Sequence, residues 1–112
     1  MPATAAPPTS TKPDPARMTH SASDAARFLR ALANDSRLLV LCTLANGECS
    51  VGELQAWVPL SQSALSQHLA VLRREGLVAT RREAQSIYYR LSDDRARALV
   101  PVLYDLFCER PA

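Results

Sequence analysis

The chain has 112 residues, 47% of them apolar, and thirteen Lys or Arg against eleven Asp or Glu give a net charge of +2. One small domain is the expectation, with a core modest enough to favour burial of further apolar surface against a second copy. The charge excludes a strongly basic, histone-like binder. The absence of a long apolar run predicts a cytoplasmic protein with no membrane partner. Every basic side chain except Lys12 is arginine, whose planar fork pairs bidentately with phosphate or guanine.

Residues 1–20 hold five of the eight prolines and almost no large apolar side chain, so they read as a disordered tail. The ordered domain is expected over residues 21–110. A first helix is predicted over 21–33, with Ala25, Phe28, Leu29 and Leu32 on one face. Asp35 is placed to cap a second helix that carries Leu38, Leu41, Cys42 and Ala45 on its apolar side and stops at Asn46-Gly47. Ser50-Val51-Gly52-Glu53 has the form of a capping box opening a short third helix, with Val51, Leu54 and Trp57 or Val58 turned inward.

Ser61 is the predicted cap of a fourth helix ending at Gly76, with Leu65, Leu69 and Leu72 buried. Residues 77–82 and 86–91 read as two strands of a hairpin, the second with Ile87, Tyr89 and Leu91 alternating against Tyr88 and Arg90, joined by a Glu83-Ala84-Gln85 turn that lacks glycine. Ser92 is the expected cap of a last helix with Leu99, Val102, Leu103 and Leu106 as its stripe. Pro101 removes one of its backbone donors. The fold class is mainly helical with a small β-hairpin: a winged helix-turn-helix.

A short capped helix, a tight turn and a longer helix form a helix-turn-helix unit. The exposed side of the longer helix offers Gln62, Ser63, Ser66, Gln67 and Ala70, and no acid occurs between Ser61 and Arg74. Neutral amides and hydroxyls suit base edges, and small side chains permit close approach. Across residues 61–92, Arg73, Arg74, Arg81, Arg82 and Arg90 face only Glu75 and Glu83. The basic charge thus shares one third of the chain with the presumed reading helix.

The run from Leu60 to Val78, Leu-Ser-Gln-Ser-Ala-Leu-Ser-Gln-His-Leu-Ala-Val-Leu-Arg-Arg-Glu-Gly-Leu-Val, followed by Thr80-Arg-Arg-Glu-Ala-Gln-Ser-Ile-Tyr-Tyr-Arg-Leu91, resembles the ArsR/SmtB-type repressors. Leu32-Ala-Asn-Asp-Ser-Arg-Leu-Leu-Val-Leu41 matches the entry to their second helix. The resemblance spans residues 22–110. It implies a homodimer built on the first and last helices, a palindromic double-stranded operator as partner, no cofactor and no catalysis. It places Ser63, Ser66, Gln67 and His68 towards DNA, with Gln62 and Arg73 beside them and Arg81 and Arg82 in the wing; His68 has packing or capping as its alternative.

Metal-sensing relatives carry cysteines where this chain has Ser50 and Gly52, or Asp/His pairs on a last helix that here holds no histidine, so no metal site is expected. Cys42 on the second helix and Cys108 near the end of the last resemble the sulfide- and persulfide-responsive branch, in which reactive sulfur species link the two. That resemblance implies a Cys42–Cys108 redox switch with a persulfide or polysulfide effector. On the residues alone, Cys42 also reads as an apolar filler. Cys49 reads as incidental. The alternative is capture of a thiophilic metalloid or metal, such as As(III), Sb(III) or Cd(II), by Cys42, Cys49 and Cys108. A thiol enzyme finds no support, because neither a Cys-x-x-Cys pair nor a cysteine with a nearby histidine base occurs.

Overall fold

The structure, a computed structural model, describes residues 12–108. The first helix, α1, runs Pro15–Leu32 and so begins six residues before the expected boundary. Asp14 explains the earlier start: its side chain accepts from the Ala16 amide at 2.9 Å, and Pro15 follows at a position where a missing N–H costs nothing. The proline that suggested disorder is a helix initiator. The rest of the expected tail, residues 1–11, lies outside the described residues, as do 109–112.

Helix α2 spans Asp35–Leu44. Its cap is Asn34 rather than Asp35, with Asn34 Oδ1 accepting from the amides of Ser36 at 2.9 Å and Arg37 at 3.1 Å. Val40, Leu41 and Leu44 are buried, whereas Leu38 and Ala45 are exposed and Cys42 is half-buried. Nearly every side chain from Leu38 to Leu44 is apolar, so periodicity could not choose the inward face. Packing against α4 and α5 chooses it.

Strand β1, Cys49–Ser50, leads directly into α3, Val51–Gln55. The capping box is complete: Glu53 N donates to Ser50 Oγ at 3.2 Å, and Ser50 N donates to Glu53 Oε1 at 2.8 Å. Val58 is buried and Trp57 is not. Helix α4, Gln62–Arg74, is capped by Ser61 and buries Leu65, Leu69 and Leu72. Its end is a Schellman motif, with Leu77 N donating to Leu72 O and Gly76 N to Arg73 O. Gly76 takes φ +77 there, a conformation that suits glycine.

Strands β2, Val78–Glu83, and β3, Ser86–Leu91, pair antiparallel in a register that sets Glu83 opposite Ser86. The turn is therefore Ala84-Gln85, one residue shorter than expected. A two-residue hairpin turn requires positive φ, and Ala84 supplies it at φ 56 without the help of glycine. β1 adds to the other edge of β3, giving the order β1-β3-β2. Two residues carry no alternation signal, which is why β1 was not legible in the sequence.

Helix α5, Asp94–Phe107, is capped by Asp93 rather than Ser92. Ser92 instead donates its hydroxyl to Gly76 O. The buried residues of α5 are Ala96 and Val100. Of the expected stripe, Leu99 and Leu103 are half-buried, while Val102 and Leu106 are exposed together with Tyr104 and Phe107. The core gathers residues of all five helices and the sheet, including Leu32 of α1 and Ala96 and Val100 of α5, with Leu41, Leu54, Leu65, Leu69, Leu72 and Leu77 among its fully buried side chains. Among the described residues no helix is long and apolar enough to cross a membrane.

Candidate nucleic-acid interface

At 100° per residue, Gln62, Ser63, Ser66, Gln67, Ala70, Arg73 and Arg74 fall on one continuous arc of α4. All seven are exposed. The opposite arc is the buried Leu65/Leu69/Leu72 stripe. The leucines thus fix the rotation of the helix, and the fixed rotation aims the neutral polar face outward. Arg73 and Arg74 add positive charge in the last turn, where it also complements the helix dipole. Glu75 caps the helix and is paired bidentately by Arg27, at 2.7 and 3.3 Å, with Arg74 Nε 4.0 Å from its Oε2. Those hydrogen bonds hold the Glu75 carboxyl below the usual carboxylate range.

His68 does not share the face. It is half-buried on the flank of α4, with Nδ1 3.4 Å from Arg37 Nη1. A guanidinium only donates, so Nδ1 is the accepting atom of this contact. Arg37 also donates to Ala31 O at 2.6 Å and Arg30 O at 3.2 Å. One arginine therefore ties the end of α1 and the flank of α4 to α2, with the half-buried His68 ring beside it.

The two wing arginines differ. Arg81 is gripped by Glu48, with both hydrogen bonds at 2.8 Å, and by Glu83, also at 2.8 Å. Its guanidinium lies 4.9 Å from the centroid of the Tyr88 ring. The bonds to Glu48 and Glu83 raise its pKa and lower that of Glu48. Glu48 comes from outside the hairpin, brought there by the pairing of β1 with β3. Charge counting over residues 61–92 missed it. Arg82, next along β2, points to the other side of the sheet and has no ion-pair partner among the described residues.

Cys42 and Cys49 are half-buried and Cys108 is exposed. Cys42 and Cys49 line one groove that Cys108 does not enter. Burial, then the nearby Glu53 and Glu48 carboxylates, push the Cys49 thiol up. Among the described residues no three His, Cys, Asp or Glu side chains gather to hold a metal ion.

A helix-turn-helix with an exposed, acid-free second helix and a basic hairpin defines a winged DNA-binding regulator. Comparison with known proteins identifies its kind. A family profile described as bacterial regulatory protein, arsR family, matches residues 34–80. The chain is 50% identical to the transcriptional activator HlyU of Vibrio cholerae, over 82% of this chain and 85% of that protein. It is 51% identical to the biofilm growth-associated repressor of Agrobacterium fabrum, over 81% of this chain and 78% of that one. A solved structure described as reduced HlyU from Vibrio cholerae superposes with a TM-score of 0.79 at 49% identity, covering 83% of this chain and 98% of the other. A homodimeric winged helix-turn-helix DNA-binding domain from Mycobacterium bovis, described as a possible ArsR-family regulator, superposes with a TM-score of 0.69 at 30% identity, covering 86% and 87%. The protein belongs to the ArsR family of bacterial transcriptional regulators.

Proposed function

We propose that this protein is a dimeric, cytoplasmic repressor that binds a palindromic operator and releases it when persulfide or polysulfide joins Cys42 to Cys108. The acid-free α4 face carries the DNA-binding part, because it offers hydrogen-bonding groups to base edges without repelling phosphate. Gln62, Ser63, Ser66 and Gln67 are assigned to base edges, and Arg73 and Arg82 to phosphates. Arg81 stiffens the wing. The exposed Val102, Tyr104, Leu106 and Phe107 on α5 supply apolar surface for a second copy, in keeping with the homodimeric Mycobacterium bovis domain. In a two-fold dimer the α4 helices enter successive major grooves, about 34 Å apart.

The effector assignment rests on where the thiols sit. Cys42 is a half-buried thiol on α2, Cys108 is an exposed thiol at the end of α5, and α2 packs against α5. A bond between them would tie the body carrying α4 to the helix assigned to dimer contact. Joining two thiols releases two protons and two electrons, which the polysulfide takes up as its S–S bonds are cut. That HlyU was solved in a form described as reduced agrees with thiol chemistry in a relative.

Single serine substitutions test the reading, with operator binding measured before and after polysulfide treatment. Cys42→Ser and Cys108→Ser should each stay bound, whereas Cys49→Ser should still be released, with the sulfur link seen by non-reducing mass spectrometry. Release that survives in the Cys108→Ser protein contradicts the switch.

A further inference from the structure

Helix α4 is flanked on two sides by different elements. Ser66 and Arg73 border Tyr89 of the hairpin. On the other side, Val71 and Glu75 border Arg27 and Arg30 of α1 and Arg37 of α2. At 100° per residue, Val71 lies only about 40–60° around the helix from Gln67 and Arg74, so this flank adjoins the polar arc. Among the described residues Glu75 is the one carboxylate lining it, and Arg27 takes both its oxygens. Asp24, one turn earlier on α1, belongs to an adjoining groove that also holds Arg95. Arg37 is bonded to the Ala31 and Arg30 carbonyls and meets His68, none of which cancels its charge. The Arg30 side chain is exposed and has no hydrogen bond or ion pair among the described residues; the Glu75 carboxylate acts on it only through space. Three arginines against one acid leave this rim positive. The exposed apolar Met18 and Leu29 share a different edge of α1, about 100–180° around the helix from Arg27 and Arg30.

We propose that Arg30 binds backbone phosphates of the operator segment between the two half-sites, with Arg27 and Arg37 adding positive charge behind it. The proposal rests on the dimeric, DNA-binding reading given above. In a dimer built on α1 and α5, α1 stands between α4 and the two-fold axis. The hairpin borders the other side of α4 and so stands outside. With α4 in the major groove, the hairpin side meets DNA at the outer edge of each half-site, and the α1 side meets the segment between them. A guanidinium without a carboxylate partner is free to form a charge-assisted pair with phosphate, as Arg30 is and Arg27 is not. Met18 and Leu29 keep their own edge for the second copy, so dimer contact and phosphate contact do not compete. A phosphate contact carries no base preference, so this segment is held without being read.

The test uses an operator selected from a random pool, with neutral methylphosphonates placed either between the half-sites or at their outer edges. Arg30→Gln removes the charge from an exposed side chain that makes no bond, and circular dichroism checks its fold. It should weaken operator binding about three- to tenfold and flatten the salt slope by about one for each protomer. Arg30→Lys should keep most of both. Neutral phosphates between the half-sites should weaken the wild type about three- to tenfold and leave Arg30→Gln unchanged, while neutral outer phosphates weaken both proteins. Arg30→Gln with wild-type affinity and slope would overturn the proposal, as would a variant that senses the inner neutral phosphates as strongly as the wild type. A wild type weakened only by the outer substitutions would overturn it too, and would leave the DNA reading standing. A wild type that selects no operator, or that is indifferent to both substitutions, would overturn the DNA reading and the proposal together.

Discussion

The α4 face and the hairpin both carry arginines, but the two regions hold their charge differently. On α4 no acid lies between Ser61 and Arg74, and Arg73 has no ion-pair partner among the described residues. On the hairpin, Arg81 is spent on Glu48 and Glu83, and Arg82 alone of that pair remains open. The lesson is that formal charge along a segment overstates what the segment presents. A carboxylate delivered by tertiary pairing, here Glu48 through β1, neutralises an arginine thirty-three residues away.

The largest expected effect breaks the comparison altogether. Leu69, 1% exposed, holds α4 in the rotation that aims its polar face outward. Leu69→Ala should cost about 2–5 kcal/mol of stability in a urea titration, and both surfaces should lose DNA together. A smaller effect separates the two arginines. Arg82→Ala should weaken specific and random duplexes alike and reduce the slope of log affinity against log salt by about one. Arg81→Ala should change that slope less, because its charge is already paired; equal changes would mean that the wing opens on DNA.

The smallest effect is a pH dependence of the wing anchor. Hydrogen bonding to Arg81 holds the Glu48 carboxyl below its ordinary value. A depressed carboxyl stabilises the folded chain fully above its unfolded-state pKa, and that contribution is lost as pH falls through the folded value. Hydrogen exchange in the hairpin should therefore quicken in acid, below roughly pH 4, and Glu48→Gln should remove that part of the dependence. The pair is solvent-exposed, so the change should be slight.

Local chemistry was legible wherever the signal was local. Ser61, the Ser50/Glu53 capping box, the Leu65/Leu69/Leu72 stripe and the existence of β3 all read directly from the sequence, whereas the expected inward face of β3 did not hold at Ile87, which is exposed. The start of α1 did not, because Asp14-Pro15 was read as part of a proline-rich tail rather than as a cap and first turn. The inward face of α2 did not, because it is apolar on nearly every side. The state of Arg81, the flank position of His68 and the meeting of Cys42 with Cys49 were out of reach, since each depends on elements joined only by folding.

The most direct measurement compares the wild-type chain with Gln67→Ala on two duplexes: an operator selected from a random pool, and an unrelated sequence of the same length. Base reading by α4 predicts a loss of about 1–3 kcal/mol on the operator, with affinity for the unrelated duplex and its salt slope unchanged. Equal weakening on both duplexes would contradict the assignment of α4 as the reading helix.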